Sequence, residues 1–430
     1  MKLAVLIIGL ALAAGPASSA EPRVESRVLD NGIRAVVVSI EGSAHVSLFT
    51  FLPLGLASDG PGQAQWSHLV EHLAIRSTIA ADSTAANGET LPDHMRLDWY
   101  GTTATWQEGL AHHRRWLEGA RVTPLVLEAE KIKANAEADF AAKNLATHKF
   151  AVAAWNQVYR HGRKHAAVRG DLARASFAEI EQYQQERLAV LDRAVVCAVG
   201  GLDPKSALPA IARQLGSLKS AAAPPAPVKP RSGRWDATWD LAARHWLKTW
   251  PIPATDSADY AALSVAAQLL AMRLYEDADL QRAAAMTLAG ADLIPPEGNY
   301  FYISAALKPG ATFAAVEEKI GRHLEALRSG GESLRPAPMA ARQLAFSLER
   351  PTDPESIRAQ APPGVTRAMI EGNVGLQWGM QEFRHGRRRA EMAKKLSALD
   401  PGAVHRAVQA NLAEEKAATV TISRAAAPPR

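Results

Sequence analysis

The chain has 430 residues, 49 Lys and Arg against 44 Asp and Glu, a formal net charge of +5 and one cysteine. A single cysteine excludes an internal disulfide framework, so stability has to come from packed cores, and a chain this long exceeds one ordinary core. The basic residues are scattered and form no block, so composition gives no reason to expect a nucleic-acid partner.

Residues 1–20 open with Lys2, run through an apolar stretch from Leu3 to Ala14 and close on Ser18-Ser19-Ala20. That order predicts a secretory signal peptide cut near Glu21, with a periplasmic mature protein. The apolar run is too short to anchor the chain in a bilayer, which takes about 20 such residues.

Arg27 to Ser39 reads as strand, turn and strand, with Asn31-Gly32 as the hairpin signal. A further strand is expected from Ala44 to Leu54 and a loop from Gly55 to Gln65. Trp66 to Ile75 then reads as a helix carrying His68-Leu-Val-Glu71-His72. On a helix His68 and His72 stand at i and i+4, with Glu71 on nearly the same side. Two imidazoles and a carboxylate suit a catalytic zinc, for which three protein ligands leave one position open, and a Glu beside two His fits a general base better than a third ligand. His-x-x-Glu-His is the inverted zinc-protease pattern.

Ala81 to Pro92 is polar and reads as a surface loop, and Arg96 to Trp106 as a strand. From Leu125 to about Tyr159 runs the longest helical pattern of this half. Glu130 and Glu137 lie on it two turns apart, roughly 10 Å along the axis, so one ion cannot take both, and one should be a ligand and the other a supporting carboxylate. Ala194 to Val199, which contains Cys197, reads as a buried strand with a packed rather than reactive thiol. Lys205 to Leu218 reads as an amphipathic helix.

The Ala- and Pro-rich stretch 217–233 predicts a linker between domains of similar length, 21–216 and 234–430. The second half repeats the order without the motif: strand Trp246–Pro253, helix Ser257–Leu274, strand Tyr300–Leu307 and helix Ala314–Arg328. His245 and His385 have no partner at metal-type spacing and read as ordinary polar residues.

Leu29-Asp-Asn-Gly-Ile33, Gly55, His68-x-x-Glu71-His72, the Glu130–Glu137 pair and Val195–Asp203 follow the order of the pitrilysin, insulin-degrading enzyme and mitochondrial processing peptidase family, and the chain resembles it. The resemblance implies an α+β fold of two related halves, each a mainly antiparallel sheet with helices on one face. It implies Zn2+ on His68, His72 and Glu137, with Glu71 as base and Glu130 assisting. The family's Gly-Gly-x-x-Asn-Ala-x-Thr strand, which borders the substrate, is read here as replaced by Leu97–Thr103. An edge strand there would bind peptide by β-augmentation.

The family's Arg and Tyr in the second half align with Asp279 and Met286. Bacterial relatives divide the site between a zinc-bearing chain and a homologous second chain supplying Arg and Tyr. The expectation is thus a zinc-dependent endopeptidase subunit acting on short or unfolded peptides as one chain of a heterodimer. The competing reading is a non-catalytic assembly or peptide-binding subunit: His68, Glu71 and His72 favour the first, and the missing Arg and Tyr favour the second.

Overall fold

A computed structural model describes residues 21–60, 62–80, 83–144, 149, 151–152, 155, 165–166, 172–188, 190–219, 231–239, 241–293 and 298–424. The expected signal peptide at 1–20 and most of the expected linker, 220–230, lie outside them.

The strands are β1 (Arg23–Val28), β2 (Arg34–Ser39), β3 (His45–Leu52), β4 (Ala86–Thr90), β5 (Met95–Thr102), β6 (His165–Ala166), β7 (Val195–Gly200), β8 (Gly233–Trp239), β9 (Arg244–Ile252), β10 (Ala284–Leu293), β11 (Asn299–Leu307) and β12 (Ala418–Arg424). They form two six-stranded sheets, in the orders β1-β2-β7-β3-β5-β4 and β10-β11-β9-β12-β8-β6. Pairing is mainly antiparallel, with parallel contacts at β2–β7, β12–β8 and β6–β8. The α+β class of two sheets flanked by helices agrees with the sequence reading.

Alternation along the strands divides their side chains between two cores. In β7, Val196 and Ala198 join the core beneath α1 (Trp66–Arg76) and α2 (Trp106–Leu117), while Val195, Cys197 and Val199 face the opposite way. That opposite face is covered by the helix Arg367–His385, through Val374 and Trp378. With both faces buried, the strand reads as an unbroken apolar run rather than an alternating one.

The helix Arg367–His385 can lie close to the sheet because small residues face it. A Cβ on Gly375 would sit 2.3 Å from Val199 Cγ1, and one on Gly379 would sit 2.5 Å from Phe51 Cε2. Two buried carboxylates pin the same helix. Glu382 accepts from Arg34 Nε at 2.5 Å and Arg389 Nε at 3.0 Å, and Glu371 accepts from the Ser43 hydroxyl at 2.5 Å.

The second sheet is covered in the reverse sense. One face packs on helices of its own half, among them Ala258–Glu276 and Phe313–Ser329. Its other face, carrying Leu247, Val420 and Ile422, meets Ala138, Ala151, Val152 and Trp155 from the first half. Each half therefore has its outer face covered by residues of the other.

Three element readings need correction. The stretch 81–92, read as loop, contains β4, which pairs with β5 from Ala86↔Trp99 to Thr90↔Met95. The strand read to Trp106 ends at Thr102, and Trp106 begins α2. The long helix appears as α3, Pro124–Asn144, and much of its expected continuation lies outside the described residues. No helix among the described residues is long and apolar enough to cross a membrane.

Candidate metal centre

Helix α1 is set by Leu69, Val70, Leu73 and Ala74, all fully buried at helical spacing. Its N-terminus is held from outside. Asp59 Oδ1 accepts the Ser67 amide at 3.0 Å, Asp59 Oδ2 accepts the Ser67 hydroxyl at 3.1 Å, and the Tyr183 hydroxyl donates to Asp59 Oδ1 at 2.7 Å. Burial pushes the Asp59 carboxyl up to about 7 against these hydrogen bonds.

On α1 the predicted i, i+4 spacing brings His68 and His72 together, with their Nε2 atoms 3.2 Å apart. Helix α3 crosses this face and brings Glu137, whose Oε2 lies 3.7 Å from His68 Nε2 and 3.5 Å from His72 Nε2. Tetrahedral zinc with bonds near 2.0–2.1 Å places neighbouring ligand atoms about 3.3–3.4 Å apart, so this donor set fits the ion. Among the described residues, it is the one group of three or more His, Cys, Asp or Glu side chains with that geometry. The Glu137 side chain is 63% exposed, which leaves the site open on that side. A cleft of about 420 Å3 adjoins it, lined in part by His68, Glu137, Phe140 and Ala141.

Glu130 lies elsewhere. Its Oε2 is 3.0 Å from His72 Nδ1, on the ring edge away from His68, and Lys133 Nζ donates to its Oε1 at 2.6 Å. His68 Nδ1 meets Gln65 Oε1 at 2.9 Å. Both imidazoles therefore have an oxygen acceptor at Nδ1, the arrangement that fixes the tautomer with Nε2 free to ligate.

The electrostatics suit a cation. Burial opposes charge on His72, but its hydrogen bonds to Glu130 and Glu137 and the charge of Glu71 outweigh it and hold the imidazole up to about 10. The neighbouring His68 and His72 imidazoles hold Glu137 far below the usual carboxylate range. Glu130 is also lowered, its bonds to His72 and Lys133 overcoming burial.

Glu71 is buried and lies outside the donor triangle. The Thr90 hydroxyl donates to its Oε2 at 2.6 Å, and a Cβ on Gly88 would come within 2.6 Å of its Cγ and Oε1. Gly88 and Thr90 belong to β4, so the stretch that reads as loop supplies the surroundings of Glu71. Leu97–Thr103, where the resemblance places the substrate-bordering strand, lies largely in β5, and the sheet edge beside Glu71 is formed by β4 instead. Sequence reasoning missed the roles of Asp59, Gln65, Gly88 and Thr90, whose contacts to Ser67, His68 and Glu71 are set by tertiary packing.

Outside this centre, Asp279 is exposed on the short helix Ala278–Ala283, paired with Arg282 and with Lys319 at 3.7 Å, and Met286 lies on β10 opposite Ala306. Cys197 is fully buried with its thiol pushed up by burial, and its Sγ meets the Gly375 carbonyl at 3.5 Å. His245 and His385 join no metal-type group among the described residues.

Residues 175–334 match the family described as Peptidase M16 inactive domain. No curated protein sequence matches the chain. Solved structures match over nearly its whole length. A protease from Helicobacter pylori superposes with a TM-score of 0.66 at 16% identity, covering 94% of this chain and 100% of that one. A peptidase M16 inactive domain from Pseudomonas fluorescens gives 0.63 at 14% identity, over 95% and 99%. The first half of the periplasmic protease PqqL from Escherichia coli gives 0.57 at 14% identity, over 94% and 93%. The fold is that of M16-like peptidases.

Proposed function

We propose that the chain is a zinc-dependent endopeptidase subunit that hydrolyses short or unfolded peptides in the periplasm, together with a homologous second chain. The observation that carries this reading is the donor triangle of His68 Nε2, His72 Nε2 and Glu137 Oε2, with sides of 3.2, 3.5 and 3.7 Å. Zinc bound there would supply a Lewis acid that polarises a peptide carbonyl and acidifies water.

The chain's own residues divide the remaining work. His68, His72 and Glu137 hold the ion. Gln65 and Glu130 keep the two Nδ1 protons in place, so that both Nε2 lone pairs point inward. Glu71, held by Thr90, takes a proton from the attacking water and passes it to the leaving amine. The edge strand β4 offers backbone groups to an extended peptide.

Asp279 and Met286 stand where the resemblance expects Arg and Tyr, so oxyanion stabilisation has to come from the second chain. Loss of such a donor costs about a hundred- to a thousand-fold in rate. The periplasmic setting rests on the signal-peptide reading of residues 1–20, and the similar PqqL is described as a periplasmic protease.

A second reading, a non-catalytic peptide-binding or assembly subunit, is favoured by the match of residues 175–334 to an inactive domain. One assay separates the two: cleavage of an unfolded reporter peptide by the zinc-loaded chain, alone and with a homologous chain that bears the Arg and Tyr. Zinc-dependent cleavage appearing on addition of the second chain supports the enzyme. No cleavage in either arm supports the non-catalytic subunit.

A further inference from the structure

We infer that Gln65 is a positioning residue for His68, held in a strained backbone so that its amide fixes the orientation of that imidazole. This rests on the zinc reading above. Gln65 has φ 70° and ψ 10° and is the one non-glycine residue with positive φ among the described residues. The left-handed region is unfavourable for an L side chain and natural for glycine, and such strain persists where the surroundings impose it.

Gln65 is only 4% exposed as a residue, so its side chain does not escape to solvent. Nor does it cap α1, although Gln65 occupies the position preceding the helix. That task falls to Asp59, which binds the Ser67 amide and hydroxyl. Glycine would satisfy the backbone, and Asp59 already satisfies the helix end. What remains for the Gln65 side chain is its 2.9 Å contact from Oε1 to His68 Nδ1.

An amide oxygen accepts, so it keeps the proton on Nδ1 and leaves the Nε2 lone pair directed at the point shared with His72 and Glu137. The two imidazoles are thus held differently, one by a neutral amide and one by the Glu130 carboxylate. The site gains orientation at His68 without a further buried negative charge.

The test uses the full chain and three readouts: zinc affinity by competition with a chromophoric chelator, the visible spectrum of the cobalt-substituted protein, and the melting temperature of the metal-free chain. Gln65→Gly should leave that melting temperature unchanged or higher, while zinc affinity falls roughly 10- to 100-fold and the cobalt spectrum changes. Gln65→Glu restores an acceptor and should return affinity to within a few-fold of wild type. Wild-type zinc binding with Gln65→Gly unchanged would overturn the inference, as would a fall that Gln65→Glu does not recover or one matched by an equal loss of metal-free stability. A wild-type chain that binds no zinc would overturn the metallopeptidase reading and the inference with it.

Discussion

Glu130 and Glu137 give the sharpest prediction, because they are alike in chemistry and share a helix yet stand in different relations to His72. Glu137 Oε2 is within 3.7 Å of both Nε2 atoms, whereas Glu130 Oε2 sits 3.0 Å from Nδ1, on another edge of the ring. An ion held at Nε2 is therefore out of reach of Glu130. Glu130→Ala leaves the partly buried His72 Nδ1 without its acceptor, at a cost of about 1–3 kcal/mol. Loss of such an outer partner typically lowers metal affinity by about 10- to 100-fold, or about 1.4–2.8 kcal/mol. The Lys133 cation, no longer neutralised, pushes in the same direction. Glu130→Ala should therefore keep zinc at micromolar protein concentrations but lose it to a weaker chelator than wild type does. Glu130→Gln retains an acceptor and should lose less. Glu137→Ala removes one of three ligands and should lose the metal on dialysis, read by elemental analysis. If Glu130→Ala strips the zinc while Glu137→Ala keeps it, the geometric assignment of the two carboxylates is reversed.

Glu71→Gln should retain zinc and lose about a hundred- to ten-thousand-fold in turnover once the second chain is present, and loss of metal instead would make Glu71 a ligand. His72 must be neutral to bind zinc, and in the metal-free chain it is held up to about 10, above its ordinary 6.5. Zinc binding should therefore release a proton at neutral pH, seen by calorimetry in buffers of differing ionisation enthalpy, and affinity should rise with pH until about 10. By the same shift, His72 contributes metal-free stability that is full below pH 6.5 and lost as pH rises through about 10, and uptake of zinc without proton release would contradict the argument. Trp378→Ala empties a fully packed position under Arg389, whose guanidinium lies 3.9 Å from the ring centroid, and should cost about 3–5 kcal/mol in thermal or denaturant unfolding. A loss below about 1 kcal/mol would mean that Trp378 does not carry the contact between helix and sheet.

The parts legible in the sequence are those fixed by local periodicity. His68 and His72 had to share a face once Trp66–Arg76 was helical, and the seven-residue gap between Glu130 and Glu137 excluded joint ligation without saying which was the ligand. Tertiary contacts decided the rest. The strand β4 is built from Ala, Asn, Gly, Glu and Thr, mostly poor strand formers, and exists because β5 pairs with it and α1 packs against it. Nothing in local propensity marks Gln65 as left-handed. Helix Arg367–His385 was not read at all: Gly372, Gly375 and Gly379 lower its intrinsic tendency, and the reason for them is visible only in Phe49, Phe51 and Val199 on the strands they approach.

The exchange of covering elements between the halves makes the two sheets mutually dependent. Helix α1 packs against β4 and β5 of the first sheet, and the far surface of the adjoining β2–β7–β3 region is sealed by a helix that begins almost three hundred residues after His72. Damage in the C-terminal third should therefore weaken the metal centre without touching it. A protein made of residues 21–216 alone would carry every candidate ligand and still expose Val36, Val38, Phe49 and Phe51 to water, an apolar patch of the kind that drives aggregation. The half that carries the candidate ligands is thus physically incomplete by itself, and any attempt to minimise the protein has to keep Arg367–His385.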